Sequence, residues 1–302
     1  MTAPWPALAL VFNAFVWGVS WWPFRELNAL GLHPLWATAL IYALSAIVIT
    51  LWRPAAWRSL LSVPALWVLV LASGTTNAAF NWAVTIGDVV RVVLLFYLMP
   101  LWAVLLARLL LHERLSRNAL SRIALAFIGA MVVLWPAEGA GWPLPRNLAE
   151  GLGVIGGFSF ALNNVMLRRE AARPEAARAL AMFVGGALVA GTLALALGSA
   201  SVPRPGGTAW LPGAVVLAVF FLASNLALQY GAARLAAQTT AVIMLTEVLF
   251  ASASALALGA GRLDGQLVVG AACIIGAALL AARAGVPSSA TSTGASSHGQ
   301  HL

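Results

Sequence analysis

Ten long apolar runs, separated by short polar stretches, organise almost the whole chain. They fall at 5–24, 34–52, 62–86, 89–111, 119–136, 151–167, 179–199, 210–231, 236–258 and 265–282. Each comes close to the roughly 20 residues that a helix needs to cross the hydrocarbon core. None shows the short alternating segments of a membrane barrel. Backbone polar groups in lipid are satisfied only within helices or closed barrels. The pattern therefore predicts an all-α integral membrane protein with ten transmembrane helices. Only Ile86-Gly87-Asp88 separates the third run from the fourth. An unbroken helix there would be about twice the bilayer thickness, so a tight helical hairpin is predicted.

Composition agrees with this. Of the 302 residues, 62% are hydrophobic and 9% charged, against about 25% charged in a soluble domain. The net charge of +8 does not form a basic face, so no nucleic-acid partner is expected. The 17 basic residues are all arginine, and they sort by loop. Arg53, Arg58, Arg108, Arg114, Arg117, Arg122, Arg168, Arg169, Arg173, Arg178, Arg234 and Arg283 lie on one side of the predicted spans. Arg25, Arg91, Arg146, Arg204 and Arg262 lie on the other, partly offset by Glu26, Asp88, Glu138, Glu150 and Asp264. The positive-inside rule then places both termini in the cytoplasm. Trp5, Trp22, Trp52 and Trp135 are among the tryptophans near span ends, where an aromatic belt belongs. The N-terminus has no basic segment ahead of its first run, so no cleaved signal is expected. Cys273, the single cysteine, forms no intramolecular disulfide, and the four histidines lack metal-ligand spacing. No cofactor or metal is expected.

The ten runs divide into two weakly similar fives. A shift of 148 residues lays Asn77-Ala-Ala-Phe-Asn-Trp82 on Asn225-Leu-Ala-Leu-Gln-Tyr230, and Pro100-Leu-Trp-Ala103 on Val248-Leu-Phe-Ala251. A shift of 143 lays Phe15-Val-Trp-Gly18 on Phe158-Ser-Phe-Ala161, and Arg25 on Arg168. Five is odd, so the second set enters the membrane from the opposite side. Two inverted five-helix repeats around a central cavity are predicted, over 1–148 and 149–285. Residues 286–302 are read as a disordered tail or an appended remnant. Transporters use such repeats to place a substrate site near the midplane between halves.

Three motifs carry a resemblance: Val16-Trp-Gly-Val-Ser20, Leu98-Met-Pro-Leu-Trp-Ala103 and Leu111-His-Glu-Arg-Leu115. With them the chain resembles the drug/metabolite transporter superfamily, in its ten-helix branch with two EamA-type domains. Its tryptophan-rich first span is most similar to bacterial aromatic amino acid exporters. That resemblance implies export of amino acids, aromatic and other neutral ones favoured, across the bacterial inner membrane by alternating access. The second half departs from the family pattern at Glu247-Val248 and at Ala260-Gly-Arg-Leu263.

Polar residues inside lipid are expensive and belong to the bundle interior. Ser73, Asn77, Asn81 and Thr85 recur every four residues on one face of the third span. Asn225 and Gln229 occupy the matching places in the eighth. Their symmetry suggests a two-sided lining, although amides that merely join neighbouring helices would give the same pattern within each half. Of Asn163 and Asn164, about 100° apart on the sixth span, one at most faces a cavity squarely. Trp17, and above it Trp21, offer rings for a bulky apolar substrate; belt anchoring is the alternative for Trp21. Glu247 is the acid well inside a predicted span, a candidate for a substrate ammonium or a transported proton. Pro100 removes a backbone donor within the fourth span and exposes the break beside Tyr97. This is a candidate hinge or a static kink. Gly153, Gly157 and Ala161 mark a close helix contact.

The leading expectation is an amino acid exporter acting as a monomer, with the bilayer and its small-molecule substrate as partners. Another metabolite or a drug is the alternative cargo. A nucleotide sugar would need basic residues in the cavity, yet every arginine sits at a span end. An intramembrane enzyme would need a catalytic cluster, and one isolated Glu247 supplies none.

Overall fold

In the computed structural model, residues 5–112, 117–135, 144–197, 209–232, 243–244, 246–262 and 264–284 are described. Arg114, Glu138, Arg204, Arg234, Leu263 and the tail lie outside this set, as do the side chains of Pro100 and Gln229. The described residues form helices: α1 (Trp5–Val19), α2 (Trp21–Ala29), α3 (Pro34–Trp52), α4 (Ala56–Ser62), α5 (Pro64–Ile86), α6 (Val89–Phe96), α7 (Met99–Leu111) and α8 (Arg117–Leu134). After these come α9 (Leu148–Arg169), α10 (Glu175–Ala196), α11 (Leu211–Ala232), α12 (Thr246–Ala257) and α13 (Gly265–Ala284).

Local chemistry sets several boundaries. The side chains of His33, Asp88 and Asn147 each accept a backbone N–H at the start of α3, α6 and α9, satisfying donors that a helix start leaves bare. Prolines occupy the first turns of α3, α5 and α7, where a missing N–H costs nothing. Gly87, extended at φ −110°, ends α5 and makes the turn into α6, so the predicted hairpin at 86–88 is present.

Five helical segments are long and apolar enough to cross a membrane: Trp5–Ala29, Pro34–Trp52, Val89–Leu110, Glu175–Ala196 and Leu211–Leu228. A sixth is added if α4 and α5, bent by 100°, count as one span. Thr246–Ala257 and Gly265–Ala277 are apolar but shorter. The number is below the predicted ten for a physical reason. α5 and α9 carry the polar and glycine residues of the interior, which dilute their hydropathy, and part of the ninth run is outside the described residues. The apolar surface faces outward in the manner of a lipid-contacting wall: Leu51, Leu71, Phe127, Val216 and Val219 are all more than half exposed.

α5 runs through the middle, packed against both α9 and α10, and α10 also packs on α3. α1 packs on α11 and α12; α6 and α7 pack on α9; α8 packs on α13. The α5–α10 crossing is close because both helices present glycine. A Cβ on Gly74 would strike the carbonyl of Gly185, and one on Gly185 would strike that of Val70. Along α9, the small face predicted from Gly153 and Gly157 receives α6: Gly153 lies against Val92 and Gly157 against the carbonyl of Phe96.

Two apolar clusters result. One gathers Phe24, Tyr42, Leu66, Phe183 and Phe221; the other gathers Phe80, Phe96, Tyr97 and Val248. Trp17 packs against both.

Candidate functional site

The span 89–111 is broken. α6 ends at Phe96, the amides of Tyr97 and Leu98 bond back to Val93 and Leu95, and α7 begins at Met99. Pro100 thus stands in the first turn of a new helix, where it fits without loss of a bond. The break itself is at Tyr97–Leu98. A shift of 148 residues carries this pair to residues 245–246, and α12 begins at Thr246.

Those two places touch. Tyr97 Oη lies 3.1 Å from Glu247 Oε2 and 3.3 Å from the Met244 carbonyl oxygen. Glu247 lies on α12 and Tyr97 follows the last turn of α6. Both side chains are buried. The partner of Glu247 is a phenol 150 residues away, a pairing that no local pattern selects. α1 closes over the same spot: a Cβ on Gly18 would lie 2.8 Å from the Glu247 carbonyl oxygen.

An aromatic path leads away from this contact. Tyr97 and Phe96 have centroids 6.2 Å apart, Phe96 and Phe80 4.8 Å, Phe80 and Trp17 6.2 Å, and Trp17 and Phe221 4.8 Å. Trp17 is half-buried, and Phe221 continues the path to Tyr42 at 6.1 Å. Such rings offer an apolar surface with polarisable faces.

The amides are held at its edge. Asn77 Oδ1 accepts from the Tyr42 hydroxyl, and its Nδ2 donates to the Ser73 carbonyl at 2.7 Å. Ser73 in turn donates to the Met182 carbonyl of α10 at 3.3 Å. Asn81 donates to Thr38 Oγ1 at 3.1 Å, while its Oδ1 is buried with no hydrogen-bond partner. Asn163 is buried with a bare Oδ1 as well, whereas Asn164 is exposed. Asn225 is half-buried on α11, on the helix that carries Phe221 and Gln229. Trp21 is buried rather than in a belt: its Nε1 donates to Ser254 Oγ at 2.9 Å, and the Arg25 guanidinium lies 5.1 Å from its ring.

The structure therefore joins Tyr97 to Glu247, and it joins Trp17 to both by way of rings. It ties Asn77 and Asn81 to Tyr42 and Thr38 of α3. Four participants were not singled out from the sequence. Tyr42, Phe80 and Phe221 look like ordinary apolar positions in a linear reading. Asn13, which donates to Ser224 Oγ at 2.6 Å between α1 and α11, was a polar residue inside a run and could have been marked.

Comparison with known proteins adds a similarity over part of the chain. Residues 4–135 match the EamA-like transporter family. Over 102 residues the chain is 33% identical to an uncharacterized transporter of Pseudomonas aeruginosa, a match covering 32% of this chain and 34% of that protein. The alignment thus spans about a third of the length of this curated relative. A crystal structure of a protein aligns with 91% of this chain and 96% of its own at a TM-score of 0.53 and 20% identity, a likeness of fold. Residues 4–135 are thus similar to EamA-like transporters, in a chain whose described helices include five long and apolar enough to cross a membrane.

Proposed function

We propose that the whole chain is a ten-span carrier of the drug/metabolite transporter superfamily, built as two inverted EamA-type repeats, which exports a small metabolite by alternating access. The observation that carries this reading is the packing pattern. Let the first five spans (α1 with α2, α3, α5, α6 with α7, α8) exchange places with the second five (α9, α10, α11, α12, α13). The contact α5–α9 becomes α11–α1, α5–α10 becomes α11–α3, and α1–α12 becomes α9 with α6 and α7. The contacts α3–α10 and α8–α13 become themselves. All of these contacts are present, as a two-fold relation between halves requires. A broken helix such as α6–α7 is the arrangement in which such carriers hold substrates and ions.

Substrate binding is assigned to Trp17, Tyr97 and Glu247, with Asn77, Asn81, Asn163, Asn225, Gln229 and Trp21 around them. The cargo we favour is an aromatic or other neutral amino acid, its ring against Trp17 and its ammonium on Glu247. Proton coupling has a simple chemical route. A protonated Glu247 can donate to Tyr97 Oη while Tyr97 donates to Met244, so every oxygen of the trio is served. An ionised Glu247 accepts the hydrogen bond of the phenol, leaving the carbonyl bare, or accepts from a substrate ammonium instead. One observation favours a second cargo, an organic amine without a carboxylate: among the described residues no arginine is fully buried beside the site.

Reconstituted protein is expected to give saturable flux of labelled phenylalanine or tryptophan that responds to a pH gradient. Glu247→Gln is expected to remove the pH response. Absence of saturable flux for phenylalanine, tryptophan and threonine would falsify amino acid export, and an unchanged pH response in Glu247→Gln would remove the proton route. Flux of an aromatic amine alone would select the second cargo.

A further inference from the structure

At the end of the bundle that carries the α5–α6 turn, polar side chains join segments far apart in sequence. Arg91 Nε lies 2.7 Å from Glu150 Oε1 on α9. Asp88 accepts from the Arg91 amide with one oxygen, at 2.9 Å, and from the Arg262 amide with the other, at 3.2 Å. The Arg146 amide donates to Glu150 Oε2 at 2.9 Å, so both carboxylate oxygens of Glu150 are engaged. From α2, Arg25 donates to the carbonyls of Val84 and Gly87, at 3.1 and 2.5 Å, and lies over Trp21, which is bonded to Ser254 of α12. Apolar contacts follow the same seam: Gly87 against Ala149, and Gly261 against Val90. Four segments (α2, the α5–α6 turn, the start of α9 and the α12–α13 link) thus meet at this end of α5, next to the buried Thr85.

We infer that the Asp88–Arg91–Glu150 cluster is a releasable latch that holds this end of the transport path shut and sets the resting state of the carrier. The inference rests on the carrier reading above. Three observations support it. First, the cluster ties residues before 148 to residues after it, so it spans the seam that alternating access must open. Second, Glu150 is 6% exposed and Arg91 23%. Charges held this far from water are costly to separate unless water enters, so closed and hydrated-open forms are both favoured over intermediates. Arg91 Nε, though 2.7 Å from Glu150 Oε1, and Nη2 are both buried without a hydrogen bond of good geometry; the ion pair is incompletely satisfied, which keeps it releasable. Third, the charges are not duplicated by the internal repeat. The shift of 148 residues maps Asp88 and Arg91 to Ala236 and Thr239, and the shift of 143 maps Glu150 to Ala7. A two-fold inverted pair would leave the two end-open states nearly equivalent; charges at one end only break that equality. On the arginine distribution this is the outer end.

The test uses the full chain with Cys273→Ser, which removes its single cysteine, and Thr85→Cys beneath the latch as a reporter. A membrane-impermeant maleimide is applied from the latch face. Labelling is expected to be slow with the latch intact and to rise about tenfold, or about 1.4 kcal/mol, in Glu150→Gln and in Arg91→Gln. The exchange Arg91→Glu with Glu150→Arg is expected to restore slow labelling. Equal labelling in all four proteins overturns the latch, as does an exchange variant that labels as fast as the single ones. Where a single variant fails to fold, the pair Arg91→Cys with Glu150→Cys replaces it. Oxidation is expected to keep the Thr85→Cys-free protein from carrying labelled phenylalanine, and reduction to restore flux; unaltered flux on oxidation overturns the proposal. Labelling does not depend on cargo, so absent flux with a tenfold labelling response would reject the amino acid reading and keep the latch.

Discussion

Adding one methyl group should have opposite effects at two glycines of this bundle. At Gly185, on the α5–α10 crossing, a Cβ would lie well inside van der Waals distance of the Val70 carbonyl oxygen and of the Val70 carbon at 2.9 Å. The obstacle is backbone, not the end of a flexible side chain, so the helices must separate. Separation is resisted by the matching approach of Gly74 to the Gly185 carbonyl and by the Tyr42 ring seated on Gly186. Overpacking of this kind costs about 1–3 kcal/mol. At Gly151, in the first turns of α9, nothing lies within 4 Å of the added Cβ. There the alanine only reduces the freedom of the unfolded chain and favours helix, a gain of about 0.5–1 kcal/mol. The two variants are compared by thermal unfolding in detergent, with loss of monodisperse protein as the readout. Gly185→Ala should melt below the parent and Gly151→Ala at or above it. A Gly185→Ala protein as stable as the parent would show that this crossing is not close-packed and would refute the reasoning.

Two further outcomes follow from single hydrogen bonds. Tyr42→Phe leaves Asn77 Oδ1, buried between α3 and α5, without its donor, a loss of about 1–2 kcal/mol within the range for buried acceptors and membrane-embedded bonds. A double-mutant cycle with Asn77→Ala in the same unfolding assay should return that coupling, and a coupling near zero would show that the bond does not contribute. His33 caps α3 through Nδ1, which accepts from the Leu35 amide at 3.2 Å, and partial burial lowers its pKa below the usual 6.5. The folded chain therefore binds this proton less readily than the unfolded chain. Its contribution is full above pH 6.5 and is lost as pH falls through the lowered value. His33→Asn, which keeps a cap, should flatten that part of the stability–pH curve; an unaltered slope would place its origin elsewhere.

What could be read in the sequence was whatever depends on lipid as a solvent. Mean hydropathy and the apolar runs require helices in a membrane, since nothing else satisfies the backbone there. The turn at Gly87-Asp88 was legible because a longer span could not fit. Glu247 and the Ser73–Thr85 stripe stood out because polar groups in lipid must face inward. Local rules of this kind do not say which inward-facing groups meet. Asn77 falls on Asn225 under the 148-residue shift, yet its bond is to Tyr42 of α3. Glu247 is bonded to Tyr97, 150 residues away, and the two come together only because α6 packs on α12, with α1 against α12 and α9 against α6. Trp21 has the position of a belt residue but is buried, bonded to Ser254 of α12. Arg91 and Glu150 read as loop charges on the sparsely charged side. Only the fold of α9 against α6 makes them a pair. Solvent preference is a property of each residue and its near neighbours; pairing depends on helix crossings set by small residues such as Gly74, Gly157 and Gly185, and those distances exist only in three dimensions.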